Sequence, residues 1–281
     1  MKLAVSYRAE YRYERRVSLS PHTVRLFPRD ALQARVLKLD FATNDAGAVH
    51  WRHDLFDNVV AQCFYPREDD RLVYRLDAEI TVEERNPFGF LLDSRALQWP
   101  VEYTPRERGA LGAFMATEKT DLPSVLRPMA GSETVNALVT MNQWIHQNIA
   151  YERRDEGEAQ APSETLRLCR GACRDTAVLL AAGLRAQGLA ARLASGYLWE
   201  SVTDPAERKA EGALHAWTEV FLPGAGWVGM DPSNGVLADH HYVSVAVGIT
   251  PDDIAPVKGL YFGDRMVPHT LQMSLEVTRE K

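Results

Sequence analysis

Arg170-Gly-Ala-Cys-Arg-Asp-Thr-Ala-Val-Leu-Leu-Ala-Ala-Gly-Leu-Arg-Ala-Gln-Gly188 is the stretch that decides how the rest of the chain is read. Past Gly171 the apolar residues Ala177, Leu180, Ala181 and Leu184 recur at i, i+3, i+4 and i+7, the spacing of a core-facing helix, and Gly188 closes it as a C-terminal cap. Cys173 therefore falls in the first turn. Free N–H groups and the positive end of the helix dipole gather there, so a thiol at that place ionises below its free value and becomes a nucleophile.

Working outward, residues 191–199 read as a strand and the charged run 200–211 as an exposed loop. Next comes Leu214-His-Ala-Trp-Thr-Glu-Val-Phe221. On a strand, His215, Trp217, Glu219 and Phe221 share one face. The break at Leu222-Pro-Gly-Ala-Gly226 and the resumption at Trp227 predict a hairpin. In the register that pairs Phe221 with Trp227, Asp231 stands opposite Trp217 and diagonal to His215, about 7 to 8 Å away between Cα atoms, within reach of a side-chain hydrogen bond.

These positions carry a chemistry. Cys173 is the candidate nucleophile, His215 the base that holds its proton as an imidazolium, and Asp231 the carboxylate that orients the ring. The backbone N–H of Cys173 is a candidate oxyanion donor, since helix N-termini present unpaired N–H groups. A second donor is not readable from the residues.

Ahead of this core, residues 3–85 alternate in short apolar runs. Val5, Tyr7, Ala9, Tyr11 and Tyr13 share one strand face, and turn signals such as Pro28-Arg-Asp30 and Asp57-Asn58 separate the runs. The predicted fold class is α+β: an N-terminal β-sandwich over residues 1–85, a proline-punctuated connector over 86–131 with short helices, and a mixed helix-and-sheet core over 132–281. That core has a Cys-bearing helix packed on an antiparallel sheet bearing the His and Asp. A helix is predicted from about Glu133 to Asn148, with Ser132 as its N-cap.

Composition narrows the function classes. A formal charge of -6 over 281 residues argues against a nucleic-acid or anionic-membrane surface. The first residues reach Arg8 and Glu10 before an apolar run long enough for a signal peptide forms, and no later run approaches membrane-spanning length, so the expectation is a cytoplasmic protein. Three cysteines, Cys63, Cys169 and Cys173, lack zinc-type spacing and suit a reducing compartment.

Taken as a set, several motifs resemble the transglutaminase-like superfamily, and in particular its bacterial members with a dedicated N-terminal β domain. They are Gly171-Ala-Cys-Arg-Asp175, Ser195-Gly-Tyr197, His215-Ala-Trp-Thr-Glu-Val220, Pro223-Gly-Ala-Gly-Trp227 and Asp231-Pro-Ser-Asn-Gly235. In the N-terminal half the likeness lies in Ser20-Pro-His-Thr-Val-Arg-Leu-Phe-Pro-Arg-Asp30 and Asp54-Leu-Phe-Asp-Asn58. The resemblance implies a papain-like or transglutaminase-like core over 132–281 and that Cys173, His215 and Asp231 are a catalytic triad acting on an amide or related acyl carbon through a thioester. Water as acceptor makes the enzyme a cysteine protease or amidase, and an amine makes it a transglutaminase. It implies a peptide or protein substrate and no obligatory cofactor. Three positions depart from the family pattern: Asp57 stands where glycine is common, Thr176 where phenylalanine is frequent, and Gly248-Ile-Thr-Pro251 where Gly-Arg-Asp is usual.

Rival readings attach to other residues. Cys63 and Cys169 are expected to pack in the core. His50, His53, His240 and His241 are expected at the surface or in turns, and Asp252-Asp253 in a solvated turn, with no metal at any of them. Trp217 and Trp227 are expected to pack around the site, and Tyr197 to line the cleft. A non-catalytic module that binds a peptide in the same cleft is the alternative class, but all three triad positions carry competent residues.

Overall fold

The computed structural model describes residues 1–29, 34–44, 47–116, 122–154, 157–199, 214–263 and 267–280. Alternation in the first eighty residues builds β1 (Lys2–Leu19), β2 (His22–Val24), β3 (Ala34–Thr43), β4 (Ala48–His53), β5 (Val59–Phe64) and β6 (Asp69–Val82). On β1, Leu3, Val5, Tyr7 and Ala9 are buried whereas Ser6 is exposed, as a strand with one covered face requires. β6 pairs antiparallel with β1 and, on its other side, with β3; β4, β5 and β2 make a second sheet. Rings of Phe27, Phe41 and Trp51 meet edge to face between the sheets, with centroids 5.1, 4.5 and 5.8 Å apart. This is the expected sandwich.

The connector holds α1 (Pro105–Leu111), started by a reciprocal cap: Glu107 N–H donates to Thr104 Oγ1 at 3.2 Å, and Thr104 N–H donates to Glu107 Oε2 at 2.7 Å. α2 (Thr134–Asn148) then buries Leu138, Met141 and Ile145. Its cap is Glu133 and not Ser132, whose carbonyl instead accepts from Trp99 N–H at 2.8 Å.

After α2 come β7 (Ala150–Tyr151), α3 (Pro162–Leu168), β8 (Arg170–Gly171) and α4 (Cys173–Ala186). Gly188 has φ +80°, the left-handed conformation that lets the chain leave α4, so the predicted end of the helix stands. The strands β9 (Ala191–Leu198), β10 (His215–Leu222), β11 (Gly226–Asp231), β12 (Val236–Leu237) and β13 (Tyr242–Gly248) form one antiparallel sheet in the order β12-β11-β10-β9-β13. Leu180 and Leu184 of α4 are fully buried, and Thr218 Oγ1 on β10 donates to Ala177 O at 2.7 Å. The helix thereby lies fixed on the sheet.

The last part of the chain leaves this core. β14 (Val257–Lys258) pairs with β2, while β15 (Tyr261–Phe262) and β16 (His269–Glu280) pair with β1, placing Glu280 opposite Lys2 and His269 opposite Tyr13. The sequence division carried the core to 281; in the sheets, residues 257–258, 261–262 and 269–280 pair with strands of the sandwich. The physical reason is that β1 offers a long unpaired edge, and Leu271, Met273, Leu275 and Val277 alternate to continue its covered face.

Side chains lock the two units. Tyr197 OH, fully buried on β9, donates to Leu26 O at 2.5 Å, and Asn58 Nδ2 donates to Val247 O on β13 at 2.8 Å; within the sandwich, Arg29 Nη1 donates to Phe56 O, Asp57 O and Asn58 Oδ1 at 3.1, 3.0 and 2.6 Å and fixes the turn that presents Asn58. Asp57 sits at φ +60°, so the turn keeps the backbone that glycine would give it. Tyr197 therefore ties the units together and does not line the cleft. Among the described residues, no helix is long and apolar enough to cross a membrane.

Candidate active site

Cys173 is the first residue of α4, and a buried carboxylate fixes where that helix starts. Asp175, with no exposed surface, accepts from Ala172 N–H at 2.7 Å, so the last extended residue before the helix is pinned to its first turn. Arg154 Nη2 grips both oxygens of Asp175 at 2.6 and 2.7 Å, and Gln160 N–H donates to it at 2.8 Å. The thiol is thus presented from a rigid helix N-terminus.

On the facing sheet, Phe221 pairs with Trp227, the register read from the sequence. His215 Nε2 and Asp231 Oδ2 are 2.7 Å apart, and both side chains are completely buried. Asp231 is held from all sides. Its Oδ1 accepts from Ser233 N, Ser233 Oγ and Asn234 N at 2.9, 2.6 and 3.2 Å, and its Oδ2 from Asn234 Nδ2 and Tyr242 OH, both at 2.7 Å. The turn donors had a sequence signal, since Asp-Pro-Ser-Asn-Gly is a strong local turn in which the Asp side chain bonds the backbone two residues on. Tyr242 had none, because it arrives from β13.

Electrostatics follow from this cage. Burial alone would push the Asp231 carboxyl up, but the His215 charge and the donors around it hold it well below the usual carboxylate range. Burial disfavours a charged His215, yet the Asp231 and Cys173 charges raise it well above an ordinary histidine. For Cys173, burial pushes the thiol up, while the His215 charge and hydrogen bonding, with a backbone bond from Ala216, bring it below its free value. Nδ1 of His215 is buried without a hydrogen-bond partner of good geometry, and Cys173 joins Asp231 in acting electrostatically on the ring. The arrangement favours a thiolate beside an imidazolium.

A cavity of about 760 Å³ opens over Cys173 and His215. It is bounded by Tyr151, Arg154 and Glu158 on one side and by the 250–257 segment on another. Residues 200–211, read as a loop beside it, lie outside the described residues.

The remaining sequence expectations divide. Trp217 is buried and stacks on His215 with centroids 6.5 Å apart, while Trp227 packs against Phe221 and under Arg192. Cys63 is buried, but Cys169 is exposed: it ends α3 with φ +51°, a left-handed cap that turns its side chain off the core. His50 and His53 lie exposed on β4. Asp252 forms an exposed ion pair with Lys258 at 2.5 Å, and Asp253 closes the Thr250 turn by accepting from Ile249 and Thr250 N–H. Asp239, His240 and His241 bring one ligand atom each within 4.8 Å of one another, so Asp239 stands as a third group beside the His pair; among the described residues these three neighbours in sequence are the only contributors.

Residues 124–232 match the model of the transglutaminase-like superfamily core, and residues 3–82 match that of the bacterial transglutaminase-like N-terminal region. An uncharacterized protein of Mycobacterium tuberculosis is 30% identical over 282 residues, covering 92% of this chain and 87% of that protein. An uncharacterized protein of Mycobacterium leprae is 33% identical over 147 residues, about half of each chain at 52% and 51%. Among solved structures, a protein from Cytophaga hutchinsonii described as a candidate cysteine protease superposes with a TM-score of 0.74 at 16% identity, over all of this chain and 92% of that one; this shows a shared fold. By its motifs, its two-part architecture and these matches, the chain belongs to the transglutaminase-like superfamily and carries the bacterial transglutaminase-like N-terminal region.

Proposed function

We propose that the chain is a thiol-dependent hydrolase of amide bonds in peptides or proteins, with Cys173 as nucleophile, His215 as acid–base group and Asp231 as the carboxylate that orients it. One observation carries the reading: the buried His215–Asp231 pair at 2.7 Å faces a cysteine at a helix N-terminus inside an open cleft.

The Cys173 thiolate attacks the carbonyl carbon and forms a C–S bond, and negative charge moves to the carbonyl oxygen. N–H groups at the start of α4, that of Cys173 first, are placed to stabilise this charge. The imidazolium of His215 gives its proton to the leaving nitrogen as the C–N bond breaks, leaving a thioester and a free amine. Neutral His215 then takes a proton from water, whose oxygen attacks the thioester; the acid departs and the thiolate–imidazolium pair is restored. Asp231 stays ionised throughout. Free thiols at Cys63, Cys169 and Cys173 suit a reducing compartment, and we place the reaction there.

Intact mass after brief exposure to a peptide-amide thiol probe tests this. One adduct that disappears in Cys173→Ala supports the nucleophile; no adduct on folded protein favours a peptide-binding module. Product analysis with and without added amines separates hydrolysis from transglutamination, which uses the same three residues.

A further inference from the structure

The cleft has unlike walls. Core residues Arg153, Arg154 and Glu158 make one of them polar. The other belongs to the N-terminal unit: Tyr11 comes from β1, and Leu271 and Met273 come from β16. Tyr11 pairs opposite Leu271 and Ala9 opposite Met273, so these side chains alternate onto one face of the sheet. On that face Tyr7 and Ala9 are buried, but Tyr11, Leu271 and Met273 are only half covered, and the surface they leave is in the cavity that contains Cys173 and His215. The wall does not float, because Tyr197 and Asn58 bond the sandwich to the core. Its volume is that of a ligand pocket, within the roughly 300 to 1,000 Å³ such sites span.

We infer that the N-terminal sheet is a substrate-selecting wall, in which Tyr11, Leu271 and Met273 form an apolar subsite for a large aliphatic or aromatic side chain of the acyl donor, beside the carbonyl that Cys173 attacks. The inference rests on the acyl-transfer reading above. Burying a carboxylate or ammonium against Leu271 and Met273 would strip its water without replacement, so charged side chains are disfavoured. Methionine adapts its shape to both aliphatic and aromatic partners, so the subsite selects by polarity more than by outline. The sandwich then has a role in specificity in addition to scaffolding.

The test uses the full chain and matched peptidyl acyloxymethyl ketones that place Leu, Phe, Glu or Lys next to the electrophile, with iodoacetamide as a small reagent that reports the thiol alone. In the parent, the Leu and Phe probes should label Cys173 about tenfold or more faster than the Glu and Lys probes. Met273→Glu should cut that preference to within about threefold and speed the Lys probe, while Met273→Leu keeps it. In both variants iodoacetamide should still label Cys173 ahead of Cys63 and Cys169, which shows that the nucleophile survives the substitution. Equal rates for all probes in the parent would overturn the subsite, as would a Met273→Glu loss that is uniform across probes and iodoacetamide. If iodoacetamide does not label Cys173 faster than Cys63 and Cys169, the nucleophile itself is wrong, and the subsite goes with it.

Discussion

Asn58 and Val247, 189 residues apart in the chain, exchange two hydrogen bonds as neighbouring strand residues do: Asn58 Nδ2 donates to Val247 O and Val247 N–H donates to Asn58 Oδ1, both at 2.8 Å. The side-chain amide thus completes the edge of β13 with a group from the sandwich. Asn58→Ala strands a buried N–H and a buried C=O, at a cost of about 1–3 kcal/mol. Thermal unfolding of the variant should begin several degrees lower. An unchanged transition would show that the pair contributes nothing to holding the units together.

The pH dependence follows from the signs at the site. The thiol of Cys173 is lowered and His215 is raised, so the ion pair exists between the two values. Acyl transfer should rise as pH climbs through the thiol value and fall as pH passes that of His215, when no proton remains for the leaving amine. Both limbs belong to the coupled pair. In His215→Ala, burial acts on the thiol without an opposing cation, and the alkylation midpoint should move up. A midpoint that stays put would mean another group ionises the thiol.

Tyr242 is a positioning residue that acts through Asp231. Its OH donates to Oδ2 at 2.7 Å, the same oxygen that faces His215. Tyr242→Phe should slow acyl transfer about tenfold with a stability loss of about 1 kcal/mol. A structural role alone would lower stability and leave both the turnover and the basic limb of the pH profile where they were.

Asp175 anchors the start of α4. Asp175→Ala removes the Ala172 cap, leaves Arg154 without its buried partner and should cost about 3 kcal/mol. Denaturant unfolding would measure this, and Cys173 alkylation on the fraction that still folds should slow. A shift below about 0.5 kcal/mol would mean that the grip of Arg154 is not needed.

Space at Gly196 is the most restrictive in the sheet. A Cβ there would lie 2.0 Å from Val243 O and 2.8 Å from the Trp217 ring, next to His215 across the β9–β10 pair. Gly196→Ala should give little folded protein, read as loss of soluble yield. Normal yield and stability would show that β13 can move aside.

What the sequence allowed to be read, and what it did not, divides by distance along the chain. Cys173 follows from helix periodicity, and His215 with Asp231 from one hairpin whose register a five-residue break defines; all are local signals. Tyr242, Asn58 and the β16 wall depend on pairings between remote segments. The alternation at Leu271, Met273, Leu275 and Val277 marks a strand, but no property of those residues names β1 as the partner. Cys169 was misplaced for a related reason: an apolar residue type gave no warning of the left-handed cap that exposes it.

The pairing of β1 with β16 also sets an order of events during synthesis. About 250 residues separate the end of β1 from the start of β16, and a ribosome adding about 5–20 residues per second needs roughly ten to fifty seconds to cover them. Throughout that interval β1 is a long strand with an open edge, the kind of surface that recruits other nascent chains. The wall above Cys173 is assembled only afterwards. A nascent chain whose thiol helix has already formed would still lack part of its cleft, so completion of the cleft is tied to the last pairing made and not to the first.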